Sequence, residues 1–228
     1  MRKFPLFVVI SLILSFVFVF PIFSENSSFF TKETAHYRIY SDDSLIKAGD
    51  IAKEMEACLK IYNNIMHLDL SALTVKLKVR IFKSKNSFDT YLNSLINETR
   101  DDFVYIHYTD LEKSELVGFE KTNKTEFDSS LVHQGFIQFI KALIPNSPIW
   151  LREGIAAYIE NAHYNSETAS FMLRPNLVWL DSLKAILKGE EKFIPLNKLL
   201  TMSKEDALKN ISIFYPEAWG VTILKQHR

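Results

Sequence analysis

Apolar and polar positions alternate most cleanly between Thr74 and Phe82. Val75, Leu77, Val79 and Ile81 point one way, Lys76, Lys78 and Arg80 the other, and a period of two means a strand. The cations suggest the solvated face of an antiparallel or edge strand. A second short alternation, His36 to Tyr40, predicts another strand. Between them, Asp42 to His67 changes period. Ile51, Met55, Cys58, Leu59, Tyr62, Ile65 and Met66 recur at spacings of three and four, the stripe of a half-buried helix. Ser87 to Ile96 predicts a shorter helix. Phe103 to Tyr108 and Leu116 to Phe119 predict two further short strands.

From residue 126 the pattern is helical. Glu126 to Ile144 is apolar on most sides and is expected to be deeply buried. Pro145-Asn146-Ser147-Pro148 ends it. Ser147 before Pro148 predicts a capped start for the next helix, which runs to about Asn161. Another helix is expected over Asn176 to Lys188, with Gly189 as its stop. Ser203-Lys204-Glu205-Asp206 can cap a short helix, and Pro216 to Lys225 reads as the last. The expected fold class is α+β, a small mixed sheet followed by a helical half. No repeat, low-complexity tract or Gly/Ser linker divides residues 25–228, so they read as one domain.

The first 24 residues stand apart. Met1-Arg2-Lys3 is a basic start, and Phe4 to Phe23 follows as 20 residues without a charge. That pattern is an export segment, either a cleaved signal or a retained anchor. A helix of that length spans about 30 Å, enough to cross the hydrocarbon core, whereas Pro21 and Ser24 favour an end and a cleavage. Both readings place residues 25–228 outside the cytoplasm, with a membrane partner through residues 4–23 if they are retained. The final helix is expected to continue beyond Arg228, so a shortened version of a longer protein is one reading of the chain.

Composition narrows the chemistry. The 27 Lys+Arg balance the 27 Asp+Glu, which removes the basic excess of a nucleic-acid partner. Cys58 is the single cysteine, so no intrachain disulfide or Cys-rich metal site can form, and its place in an apolar stripe reads as core. The 6 glycines make no phosphate-binding loop. No G-x-S-x-G nucleophile setting occurs, and the adjacent acids Asp101-Asp102 and Glu190-Glu191 read as solvated surface.

The informative chemistry lies in Leu131-Val132-His133-Gln134-Gly135-Phe136-Ile137 and in Trp150-Leu151-Arg152-Glu153-Gly154-Ile155-Ala156-Ala157-Tyr158. The second stretch resembles the W-L-x-E-G-x-A-x-Y segment of gluzincin metallopeptidases, the class of aminopeptidase N and the bacterial peptidase MA-like proteins. In that class its Glu is the third zinc ligand, the position of Glu153. The first stretch resembles the H-E-x-x-H helix in part. His133 matches the first His, Gln134 stands where the catalytic Glu would be, and Ile137 where the second His would be. The likeness extends over most of residues 33–225, through Ile194 to Leu200 and Tyr215-Pro216-Glu217-Ala218-Trp219.

The departures strike the mechanism twice. Two imidazoles at i and i+4 share a helix face and grip one zinc, and Ile137 offers no lone pair. The Glu takes a proton from the bound water, and Gln134 has no carboxylate to do so. The resemblance therefore implies a pseudopeptidase with His133 and Glu153 as remnant ligands, no intact catalytic residue and no cofactor expected. It would bind a peptide, protein or envelope component in a cleft where Trp150, Tyr158 and Tyr215 are candidate contacts. The alternative is a divergent zinc peptidase that recruits another ligand, such as His107 or His163, and a new base. A third reading is a structural envelope protein with the cleft filled in. Without the resemblance, His133 and Glu153 would be a core histidine and a partly buried carboxylate needing a partner.

Overall fold

Alternation builds the sheet of this computed structural model, which describes residues 29–189 and 192–226. Strands β1 (Phe30–Glu33), β2 (Tyr37–Ser41), β3 (Leu77–Phe82), β4 (Val104–Ile106) and β5 (Glu115–Phe119) join in the order β1-β2-β3-β5-β4. The inner pairs are parallel and the two outer pairs antiparallel. Ile39, Val79 and Leu116 lie side by side across the centre and are fully buried. Helices α1 (Leu45–Met66) and α2 (Lys85–Ile96) supply the crossovers that parallel neighbours require. The fold is α+β, as the pattern predicts.

The cationic strand β3 is not an antiparallel or edge strand. It is central, with a parallel neighbour on each side. Its charges are tolerated because they are partnered. Arg80 Nε lies 3.1 Å from Glu115 Oε2 on β5, and its guanidinium sits 4.5, 4.6 and 4.8 Å from the ring centres of Phe29, Tyr40 and Tyr91. Lys76, just before the strand, pairs with Glu33 at 2.7 Å. A caged, ion-paired guanidinium can occupy a covered face where an unpaired one could not.

The stripe of α1 is buried at Ile51, Met55, Cys58, Leu59 and Tyr62. Against it lies α3 (Lys124–Leu143), joined by Tyr62, whose hydroxyl donates to the Val132 carbonyl at 2.8 Å and whose ring meets Phe136 and Phe139. Gly135 permits this approach, since a Cβ there would stand 2.6 Å from the Tyr62 hydroxyl. The helical half then follows as α4 (Ile149–Ile159), the hairpin β6 (His163–Asn165) and β7 (Ser170–Met172), α5 (Leu177–Leu187), α6 (Leu196–Thr201), α7 (Lys204–Lys209) and α8 (Ile211–Gln226). Ile155, Ala156 and Ile159 of α4 join the main core, while Ile149 joins a smaller one with Leu199, Phe214 and Ala218. One helix thus ties the two apolar clusters together.

Local chemistry sets most ends. Ser44, Ser84, Asn123, Asn176 and Ser203 each accept a backbone N–H in the first turn of the helix that follows. Gly189, at φ 80°, follows the end of α5 as expected. Two expectations fail. Pro148, not Ser147, is the residue before α4, and the Ser147 hydroxyl is buried without a partner among the described residues. The last helix begins at Ile211, with Pro216 inside it. Strand β1 and the β6–β7 hairpin went unpredicted. All of β1 is exposed, and the hairpin strands are three residues each, too short for a period to show. No described helix is long and apolar enough to cross a membrane. The export segment (1–24), Glu190, Glu191 and His227 lie outside the described residues.

Gly135→Ala is expected to destabilise the protein by about 1–3 kcal/mol through overpacking. Tyr62→Phe alone should cost about 1 kcal/mol for the lost hydrogen bond. The double variant should recover part of the sum, because the clashing hydroxyl is gone; urea unfolding of all three variants reads this coupling directly.

Candidate functional site

Two helices carry the residues that the sequence singled out. On α3, His133 and Gln134 are consecutive and Ile137 lies one turn beyond His133. On α4, Glu153 sits in the second turn, and Glu160 caps the helix two turns later on the same side. Close packing of α4 on α8 fixes Glu153. A Cβ at Gly154 would stand 2.5 Å from the Ala218 carbonyl oxygen, so only glycine lets the two backbones approach there.

His133 bridges the two acids. Its Nδ1 donates to Glu160 Oε2 at 2.9 Å, and its Nε2 lies 3.6 Å from Glu153 Oε2. The other Glu160 oxygen accepts from Asn176 Nδ2 and Trp179 Nε1, each at 2.8 Å. Tyr215 donates its hydroxyl to Glu153 Oε2 at 3.1 Å, and Arg152 Nε lies 3.3 Å from Oε1. Trp179 stacks on Tyr215 at 5.8 Å and 15°. The side chains of His133, Glu153 and Glu160 are each 15–17% exposed. Burial alone would lower the His133 pKa, but the two carboxylates outweigh it and raise it to about 9. Burial alone would raise that of Glu153, but His133, Arg152 and Tyr215 together hold it below the usual carboxylate range. At neutral pH the site is therefore an imidazolium between two carboxylates.

Gln134 faces elsewhere. Its Oε1 accepts the Tyr105 backbone N–H of β4 at 3.3 Å. Beside it opens a cleft of about 690 Å³, with Ile137, Glu153 and Tyr215 also in its wall. A smaller recess of about 260 Å³ exposes His133, Glu160 and Trp179, and shares Gln134 and Tyr215 with the larger one. Tyr215 is thus a cleft residue. Trp150 and Tyr158 do not line the cleft; Trp150 packs on the smaller core and Tyr158 on the main one.

The donor set falls short of a catalytic zinc site. His133 Nε2 and Glu153 Oε2 could face one ion, and a carboxylate behind Nδ1 is the usual support for a ligating His. Glu160, however, sits on the opposite ring nitrogen and does not converge with them. Ile137 donates nothing, His107 bonds through Nδ1 to the Tyr105 hydroxyl at 3.3 Å, and His163 is exposed on β6. Among the described residues no three His, Cys, Asp or Glu side chains are grouped to hold a metal. Two donors are one fewer than catalytic zinc normally has from protein.

Glu160 and Trp179 are the site residues that sequence reasoning missed. The signal for Glu160 was its spacing of seven from Glu153, which returns it to the same face of α4. For Trp179, in a helix read only for its bounds, the sequence carried no signal. Compared with protein-family models the chain matches none, and a search of curated proteins returned no match.

The raised His133 pKa fixes the sign of a pH effect. Its contribution to stability is fully present below its ordinary value near 6.5 and is lost as pH rises through about 9. The unfolding free energy from urea titrations is expected to fall across that window, by on the order of 3 kcal/mol in total. His133→Gln should flatten this stretch of the profile and lower stability most below about pH 6.5, where the two buried carboxylates lose their counter-charge, and least above about 9.

Proposed function

We propose that the chain is an exported, peptidase-like protein without catalytic activity, and that its cleft binds a peptide or protein segment on the envelope side of the membrane. One observation carries this reading: the polar groups at the motif positions are engaged with one another while the cleft beside them stays open. His133 has a carboxylate at each nitrogen, Glu153 has three donors around it, and the Gln134 carbonyl is bonded to β4. None of the three is left as a base for water. A cleft of about 690 Å³ falls within the size range of ligand sites. An open cleft also speaks against the purely structural reading, which expects it filled.

The divergent zinc peptidase draws on one feature, the 3.6 Å approach of His133 Nε2 to Glu153 Oε2. Against it stand the missing third donor and the missing base. Elemental analysis separates the two. The untagged chain is expected to hold well under one zinc per molecule after dialysis and to leave casein and short peptides uncut. Gln134→Glu combined with Ile137→His restores the spacing of H-E-x-x-H and should raise zinc content toward one. Near-stoichiometric zinc in the unaltered chain would overturn the proposal.

A further inference from the structure

The cleft is unevenly charged. Lys141 from α3, Arg152 from α4 and Lys204 from α7 line the same space at the Glu153 end. Glu153 is the acid among them, and His133, Tyr215 and Arg152 already surround it. Lys141 donates to the Pro145 carbonyl at 2.7 Å, and neither it nor Lys204 forms an ion pair with a described residue. Arg152, 11% exposed, uses Nε on Glu153 and Nη1 on the Ser147 carbonyl at 3.0 Å, leaving Nη2 without a partner among the described residues. Burial and the charges of Arg152 and Lys204 together hold the Lys141 pKa below its ordinary value, with Glu153 as a partial offset. Arg152 and Lys204 thus both repel Lys141, and an incoming anion in the space they share would relieve that repulsion.

The wall beneath them is apolar, built by Ile137, Ile149 and Phe214. The other charges of the wall, Arg100, Asp101 and Asp102, are consecutive and lie on the Phe103 side, where Arg100 pairs with Glu98 and Asp102 with Lys121 at 2.7 Å. An inorganic anion would leave the apolar wall uncovered, and an uncharged apolar ligand would leave the cations crowded. A carboxylate next to an apolar group answers both.

We infer that this end of the cleft is a carboxylate subsite, in which Lys141, Arg152 and Lys204 hold the C-terminal carboxylate of a peptide whose last side chain is apolar. The inference rests on the cleft being a peptide groove and adds which end of the peptide enters it. The one unpartnered guanidinium nitrogen, Nη2 of Arg152, flanked by two ammonium groups suits a carboxylate, which accepts several charged hydrogen bonds at once. An acidic side chain presents the same group, and the test separates the two sources.

Calorimetric titration of the full-length chain uses three probes: acetyl-Ala-Ala-Leu as the free acid, the same peptide as its C-terminal amide, and acetyl-Glu-Ala-Leu amide. The free acid is expected to bind at least about tenfold more tightly than either amide. Lys141→Gln with Lys204→Gln should shrink that preference to under about threefold, without touching the contacts of Glu153. Lys204→Gln alone, at an exposed position, keeps the test readable if the double variant folds poorly. Equal affinity for the free acid and its amide would overturn the subsite and leave the groove reading standing. Binding of the glutamyl amide as tightly as the free acid would overturn the terminal assignment in favour of a side chain. Failure of all three probes to bind would overturn the subsite and the groove together.

Discussion

A buried imidazolium holds the helical half together. His133 on α3 reaches Glu153 and Glu160 at two levels of α4, and those acids in turn collect Tyr215 from α8 and Asn176 and Trp179 from α5. Two carboxylates cannot be buried this close without a counter-charge, and a proton on the ring supplies it. The charges also fix how α3, α4, α5 and α8 face one another, because each helix contributes a group with a hydrogen-bond direction. Apolar packing between the same helices would be less selective about their rotation.

The sheet half was largely legible. Alternation found β3, which begins at Leu77 and not at Thr74, and the spacing of three and four found the α1 stripe. The pairing of β3 was not legible, because alternation with cations on one face looks the same on an edge as in a centre. What distinguishes them is the cover over that face. Glu115, Tyr91 and Phe29 come from three separate stretches of chain, and no local pattern brings them to Arg80. Strand β1 was invisible for the opposite reason: it has no buried face, so its place comes from backbone pairing with β2 and from the ion pairs of Glu33 with Arg38 and Lys76, neither of which leaves a periodic pattern.

At the candidate site, the sequence named His133, Gln134 and Glu153 but not what they do to one another. The resemblance implied that His133 and Glu153 could meet. It did not show that Glu160 would take the other ring nitrogen, nor that Gln134 would bond to the backbone of β4 and not to its neighbours on α3. Both depend on where a second element lies in space. The expectation that Trp150 and Tyr158 border the cleft failed on the same ground, since the rotation of α4 decides which aromatics face inward. Tyr215, from a segment much further along the chain, does border it, because α8 packs closely on Gly154.

The lone thiol has a consequence for the covalent life of the molecule. Cys58 is fully buried on α1, and burial and the nearby Glu54 charge push its pKa well up. Attack on a disulfide or an oxidant needs a thiolate with a path to it, and this one has neither. Two folded copies therefore do not become cross-linked on standing in air, and the fold gains nothing from a disulfide-forming catalyst. As far as its thiol is concerned, the folded chain is indifferent to the redox state of the solution around it.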